Sequence, residues 1–370
     1  MIGGFLGAGK TTCMMRLGER LRDEGRRTGL ITNDQASELV DTAWFRQRGF
    51  STAEIAGGCF CCRFDSLTDA ARQLTAETRP EFILAEPVGS CTDLVATVSY
   101  PLRRIYGDRF VVAPLSVVVD PIRAERVLGL ESGSSFSEKV LYIYRKQLEE
   151  AELIVINKRE LLSPERLRRL SDALQERHPK STVFQVSARE GSGLDAWFDH
   201  LRRGEAGRWK AMPVDYDVYA EGEALLGWLN ATLSVESQGA SGVFDGNQLL
   251  RELAEGVRQW LASRGLEIAH CKITLESRDG LGDLGIVNVV RNDFVPELGQ
   301  ALPESIRAGQ LTFNLRAEGD PELLAEALQS TVRARVVEAS EAGLVMRVEH
   351  LERFRPGRPT PTHRMAGLED

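Results

Sequence analysis

Along the first two hundred or so residues, short apolar runs alternate with stretches whose apolar positions recur every three or four residues. The runs at 28–32, 51–55, 81–85, 110–119, 152–156 and 182–186 predict strands. The periodic stretches at 10–24, 63–78, 135–150, 163–177 and 193–203 predict helices. Strands that are apolar on both faces and alternate with helices make a mostly parallel sheet covered on both sides, an α/β fold. The longest apolar run, FVVAPLSVVV at 110–119, is too short to span a bilayer and ends on Asp120, so it too predicts a buried strand.

Beyond a polar, glycine-containing stretch at 205–213 the pattern changes. Strands are predicted at 223–235, 267–275, 284–291, 311–317 and 345–350, and helices at 246–263 and 320–335. The second of these helices opens on DPELL, a good N-terminus. Two helices among about five strands suggest a smaller α+β unit, with a ferredoxin-like arrangement as one form. The expected organisation is a domain at 1–204, a linker at 205–213, a second domain at 214–353, and a proline-rich, basic, extended or disordered tail at 354–370.

At 370 residues the chain exceeds one ordinary core, which agrees with two domains. A formal net charge of −8 argues against a general nucleic-acid binder. No charged-then-apolar leader is seen. Of six cysteines, Cys13, Cys91 and Cys271 are scattered singly, which is no disulfide framework and points to a reducing cytoplasm. The other three fall within GGCFCC at 57–62.

Residues 4–11, GFLGAGKT, match G-x-x-x-x-G-K-[ST] in full. Gly4, Gly7, Ala8 and Gly9 let successive N–H groups curl around phosphate oxygens. Lys10 reaches the β and γ phosphates, Thr11 ligates Mg²⁺, and the helix running on from Thr12 adds its dipole. The plain alternative is a chance glycine loop. Only Met1 and Ile2 precede the glycines, so the strand that should carry the loop is either shortened or cut by a late start. At 155–161, VINKREL ends a strand on Asn157-Lys158-x-Glu160, a guanine-reading pattern with Glu160 where Asp is usual; an ordinary strand-end turn is the alternative. Ser187-Ala188 fits a second base-contact loop. Two acids at strand ends, Asp34 and Glu86, are candidates for holding Mg²⁺, and Gly89 for offering its N–H to a γ-phosphate. For each acid a solvated loop carboxylate is the alternative.

Cys59 and Cys62 have C-x-x-C spacing and Cys61 adds a third thiol; Gly57-Gly58 free the backbone to fold them round an ion. Thiolates select soft ions such as Zn²⁺ or Cu(I). Three leave a tetrahedral ion one ligand short, which suits an open or shared position. A redox dithiol and inert packed cysteines are the competing readings. His270-Cys271 lie on a predicted strand and point to opposite faces, which favours core packing.

In this order, GFLGAGKTT, GGCFCC, the E-x-x-G at 86–89 and NKREL resemble CobW-type P-loop GTPases, relatives of the urease and hydrogenase nickel-insertion GTPases. The resemblance covers about the first 200 residues. It implies a P-loop NTPase fold, Mg²⁺-dependent GTP hydrolysis, and Zn²⁺ or Co²⁺ at Cys59, Cys61 and Cys62. It also implies transfer to an apo-metalloenzyme or corrinoid-dependent client, and self-association; the charge and the short apolar runs leave nucleic acid and membrane out of the expected partners. NDQASELVD and AEPVGS depart from the family's N-E-x-G-x-x-x-x-D and Thr-rich E-T-[ST]-G patterns. Five histidines, none adjacent, argue against metal storage. A nucleotide-dependent zinc sensor or scaffold, and an ATP-dependent small-molecule kinase, are the other functions these residues allow.

Overall fold

In the computed structural model the first strand, β1, is Ile2–Gly3, and it pairs in parallel with a strand more than a hundred residues on. The structure describes residues 1–33, 40–107, 109–204, 207, 210–239, 242–279, 282–338 and 343–367. After β1 come α1 (Lys10–Asp23), β2 (Thr28–Asn33), α2 (Val40–Gln47), β3 (Ser51–Ile55), α3 (Phe64–Thr78) and β4 (Phe82–Glu86). Then follow α4 (Tyr100–Tyr106), β5 (Ser116–Val119), α5 (Pro121–Val127), α6 (Glu138–Glu150), β6 (Leu153–Ile156), α7 (Pro164–Arg177), β7 (Thr182–Gln185) and α8 (Leu194–Arg203). Two parallel ladders result, β3-β2-β4 and β1-β5-β6-β7. This is the expected parallel α/β fold.

β5 is shorter than the apolar run that predicts it. Pro114 has no N–H to give a ladder, Val111 is exposed, and the Leu115 N–H donates to the Glu152 carboxylate at 2.8 Å, so pairing begins only at Ser116. Apolar character alone does not separate this exposed half from the buried one. Sequence reasoning also missed α2, α4 and α5. α5 is short but well started: Pro121 occupies its first turn and the Asp120 carboxylate accepts from the Arg123 N–H at 3.1 Å.

The chain forms two units, Met1–Gly222 with Arg358–Asp370, and Glu223–Gly357. The boundary thus lies later than the stretch 205–213, inside α9 (Tyr216–Leu225). The described part of the tail has no regular secondary structure after Phe354, yet it is hydrogen-bonded within the first unit.

The second unit contains β8 (Leu226–Ser237), α10 (Gly246–Ala262), β9 (Ile268–Ser277), β10 (Leu284–Val289), β11 (Glu297–Gln300), β12 (Ala308–Glu318), α11 (Pro321–Glu338) and β13 (Leu344–Phe354). Its sheet runs β11-β10-β9-β12-β8-β13, all neighbours antiparallel. Without β10 and β11 the order β9-β12-β8-β13 is a split βαβ repeated, the ferredoxin-like arrangement; β11 was not expected. Leu311, Phe313 and Leu315 alternate inward along β12 against Leu249, Leu253 and Val257, one stripe of α10. Among the described residues no helix is long and apolar enough to cross a membrane.

Candidate functional site

The phosphate loop leads from β1 into α1, with Gly4, Gly7 and Gly9 at φ of 127°, 76° and 95°. Side chains could not replace these glycines: a Cβ on Gly4 would stand 2.1 Å from the Val118 carbonyl oxygen, and one on Gly9 2.4 Å from Asn157 Nδ2. Four consecutive loop carbonyls accept from side chains. Lys10 Nζ donates to Phe5 O at 3.4 Å, Arg123 to Leu6 O at 2.7 Å, Lys158 Nζ to Gly7 O at 2.8 Å and Asn157 Nδ2 to Ala8 O at 3.0 Å. The Ala8 N–H closes the turn on Phe5 O at 3.2 Å, and with the carbonyls held this way the other loop amides can turn to an anion.

Asn157 also joins the two base-loop candidates: its Oδ1 accepts from the Ala188 N–H at 3.0 Å. Ser187 Oγ accepts from the Glu190 N–H at 3.1 Å. Lys158 sits in the left-handed region and pairs with buried Asp120 at 2.9 Å. Glu160 is exposed on the short turn after it, on view for a ligand. Arg123 and Asp120 carry no signal of their own in the sequence beyond the strand-end Asp-Pro. The Arg123 guanidinium lies between the Phe5 and Phe136 rings, 5.3 and 5.0 Å from their centroids.

At the end of β4, Glu86 accepts from the Thr11 hydroxyl at 3.1 Å and lies 3.9 Å from Lys10 Nζ. These two hard oxygens, Glu86 buried and Thr11 partly so, are of the kind Mg²⁺ takes. Thr12 continues α1. Gly89 packs on the loop so closely that a Cβ would stand 2.8 Å from Leu6 Cδ2. Asp34 lies outside the described residues.

The thiol cluster follows β3. Gly57 and Gly58 adopt φ of 74° and 153°, and the backbone then closes a turn in which the Cys62 and Arg63 N–H groups both donate to Cys59 O, at 3.1 and 2.9 Å. The Cys59 and Cys61 sulfurs are 2.8 Å apart, Cys59 and Cys62 3.3 Å, and Cys61 and Cys62 3.7 Å. Cys59 and Cys61 are buried and Cys62 partly so. Hydrogen bonds from Cys61, then Cys62 and Cys91, hold the Cys59 thiol well below its ordinary range. The hydrogen bond to Cys59 pushes Cys62 up to about 11.

Among the described residues, the sulfurs gathered within 4.8 Å of one another are those of Cys59, Cys61 and Cys62. Cys13 and Cys271 are buried elsewhere, and burial pushes both thiols up, Cys271 to about 12. Cys271 lies in the second unit's core, as core packing of His270-Cys271 requires.

Two neighbours hold the thiol turn. Asn33, the last residue of β2, donates Nδ2 to Ile55 O at 3.0 Å and Gly58 O at 2.6 Å. The returning tail forms a strap. Thr360 N–H donates to Cys62 Sγ at 3.2 Å, Thr362 N–H to Cys61 O at 2.8 Å, and the Thr362 hydroxyl to Cys62 O at 3.3 Å. The His363 ring meets Phe64 edge-on, and Arg364 pairs with buried Asp93 at 2.7 Å. No sequence signal marks this strap.

The nucleotide-binding-domain model of CobW, HypB and UreG proteins matches residues 1–185. The chain is 29% identical over 215 residues to the zinc chaperone CobW of a Sinorhizobium species, covering 52% of this chain and 58% of that protein. It is 28% identical over 168 residues to the zinc chaperone YeiR of Escherichia coli K12, covering 45% and 47%. The chain thus spans about half the length of these curated relatives. Among solved structures, nickel-bound HypB of Helicobacter pylori aligns with 17% identity and a TM-score of 0.40, over 54% of this chain and 83% of that one. Zinc-bound YjiA GTPase of E. coli aligns with 11% identity and a TM-score of 0.35, over 89% and 97%.

Proposed function

Because this chain belongs to the CobW/HypB/UreG family, we propose that it is a GTP-hydrolysing metallochaperone that carries zinc on its cysteine cluster. The observation that carries this reading is that the thiol turn is gripped by the end of β2, the ladder neighbour of β4, whose own end meets the phosphate loop. On one side Asn33 ends β2 and grips Gly58. On the other, Glu86 ends β4 and bonds Thr11, and its loop runs on to Cys91. Glu86 pairs in the ladder with Thr32, next to Asn33, so a shift of the β4 end on phosphate binding reaches a support of the thiol turn.

The loop amides and Lys10 bind the β and γ phosphates, and Asn157, Lys158, Ser187, Ala188 and Glu160 face the base. Thr11 and Glu86 are the residues that would hold Mg²⁺, with Asp34 as a further candidate; the ion would neutralise charge developing on the phosphates. Gly89 offers its N–H to the γ-phosphate. The sulfur set selects zinc, the metal in the relatives' names, over harder ions; Co²⁺ is a usable surrogate. The client is an apo-metalloenzyme or corrinoid-dependent protein in the cytoplasm, and the carrier works as a homodimer.

The test is a zinc titration of the protein with no nucleotide, with GDP and with a non-hydrolysable GTP analogue, beside a Cys59/Cys61/Cys62→Ser variant. Cluster-dependent affinity that changes with nucleotide supports a carrier. Equal affinity in all states would leave the thiols as a passive zinc site and favour the sensor or scaffold. Equal binding of ATP and GTP would return the small-molecule kinase, since a Glu at 160 stands where the guanine-reading acid is usually Asp.

A further inference from the structure

We propose that the ion pair between Arg364 and Asp93 is a latch that holds the tail strap shut over the thiol turn, and that bound nucleotide works it through the loop carrying Asp93; its use in metal release rests on the metallochaperone reading above. The strap is fastened at three points. Arg358 pairs with Asp217 of α9. Thr360 and Thr362 give their N–H groups to Cys62 Sγ and Cys61 O. Residues 359 and 361 are prolines, so these are the only main-chain donors from 359 to 362, and both are spent on the turn. Finally, Arg364 Nε donates to Asp93 Oδ2 at 2.7 Å and its Nη2 to Met212 O at 2.9 Å, while the Met365 N–H donates to Ala96 O at 2.9 Å.

These fastenings are not equal. Arg358 and Asp217 are both exposed, and an exposed pair holds weakly. Sulfur is a weak acceptor. Asp93 is buried, and a buried carboxylate that loses its cation is left at high cost. Its backbone lies in the left-handed region at φ 65°, its carboxylate also accepts from the Tyr216 hydroxyl at 2.7 Å, and its carbonyl accepts from the Thr97 N–H and hydroxyl at 3.0 and 2.7 Å. A π-helical turn follows at Val95–Ser99, an uncommon form that recurs at functional sites. Backbone of this kind persists where its surroundings over-determine it, and here they converge on the carboxylate that takes Arg364. Upstream on the same loop, Glu86 bonds Thr11 and Gly89 packs on Leu6. Gln147 of α6 grips the loop midway, donating to Gly89 O at 2.9 Å and Cys91 O at 2.8 Å. One loop therefore begins at the phosphate site and ends at the latch. A nucleotide that moves Gly89 reaches Asp93, and the strap opens with the loss of one ion pair and a few hydrogen bonds.

The test is amide hydrogen exchange at Thr360 and Thr362 in the full-length, metal-free protein. In the wild type, which needs no variant to fold, exchange with GDP and with a non-hydrolysable GTP analogue should differ by roughly 5-fold or more. In Arg364→Ala, and in Asp93→Asn, which keeps an acceptor for Tyr216, exchange should rise roughly 10-fold and the nucleotide difference should vanish. Arg364→Lys should restore part of the protection. Arg358→Ala should stay within about 2-fold of the wild type. Exchange that ignores nucleotide, or that is unchanged in Arg364→Ala, would overturn the latch, as would Arg358→Ala exchanging as fast as Arg364→Ala. The readout needs no metal. Amides that respond as expected, in a protein whose zinc affinity ignores nucleotide, would uphold the latch and remove the carrier reading.

Discussion

The phosphate loop and the thiol turn are both glycine-led bends in the same unit, but different neighbours hold them. The phosphate loop's carbonyls at residues 5–8 are held by Lys10, Arg123, Lys158 and Asn157. Those residues sit on α1, α5 and the loop after β6, elements anchored in the parallel sheet. The thiol turn is held by one strand end and by a strap nearly 300 residues away in sequence, in which a main-chain N–H reaches a sulfur. One site is therefore set before its ligand arrives. The other is set by contacts that can be released separately. On the carrier reading proposed above, this is the difference between a site that binds and a site that also releases.

The comparison breaks first at Lys10. Lys10→Ala should lower GTP turnover roughly 100-fold or more, because the charge on the β and γ phosphates goes unanswered. Steady-state phosphate release checks this, and wild-type turnover would disqualify the loop. Asn157→Ala comes next. It leaves Ala8 O and the Ala188 N–H without their partner, so nucleotide affinity should drop about 10–100-fold. Equilibrium binding of a fluorescent GDP measures it, and zinc affinity in the absence of nucleotide should not change.

Truncation after Gly357 sharpens the contrast from the other side. Loss of the strap's hydrogen bonds to Cys61 and Cys62 should speed zinc removal by a chelator roughly 10-fold, with nucleotide affinity within about 2-fold of the wild type. If the extraction rate stays the same, the strap does not hold the turn.

The smallest effect concerns Glu150, which accepts from the Val95 N–H and the Thr92 hydroxyl beneath the loop that carries Cys91. Burial pushes this carboxyl up to about 8. The folded state therefore keeps a proton that the unfolded chain releases near its ordinary value of 4.5. Stability from this group is fully present below that value and declines as pH rises towards about 8. Urea melts should show the wild type about 1–2 kcal/mol less stable at pH 8 than at pH 6, and Glu150→Gln should flatten that slope.

What could be read from sequence was what is local. The glycines and Lys10 of the loop, the Asn-Lys pair and the three close cysteines each state their chemistry within a few residues. The alternation along β12 likewise identifies its buried face without help. The grip of Asn33 on the thiol turn could not be read, because the pairing of β2 with β3 brings it to a carbonyl 25 residues later. Arg123 was hidden because its partner is a backbone carbonyl, which leaves no trace in residue type. The tail misled for a simple reason: proline and basic residues predict an extended chain, and the chain is extended, but its amides are used on the cysteine turn.

The first unit is discontinuous, since the chain leaves it at Gly222 and returns at Arg358. During synthesis the phosphate loop and all three clustered cysteines emerge before Glu223–Gly357 is made. At about 5–20 residues per second, the ribosome needs on the order of ten seconds for that insertion. Throughout that interval the thiol turn lacks Thr360 and Thr362 and faces the surroundings. The nascent chain therefore has an early period in which metal, or an oxidant, meets an uncovered cluster. Alkylating ribosome-bound chains stalled before residue 358 should label Cys62 faster than in the finished protein; equal labelling would show that the strap closes nothing.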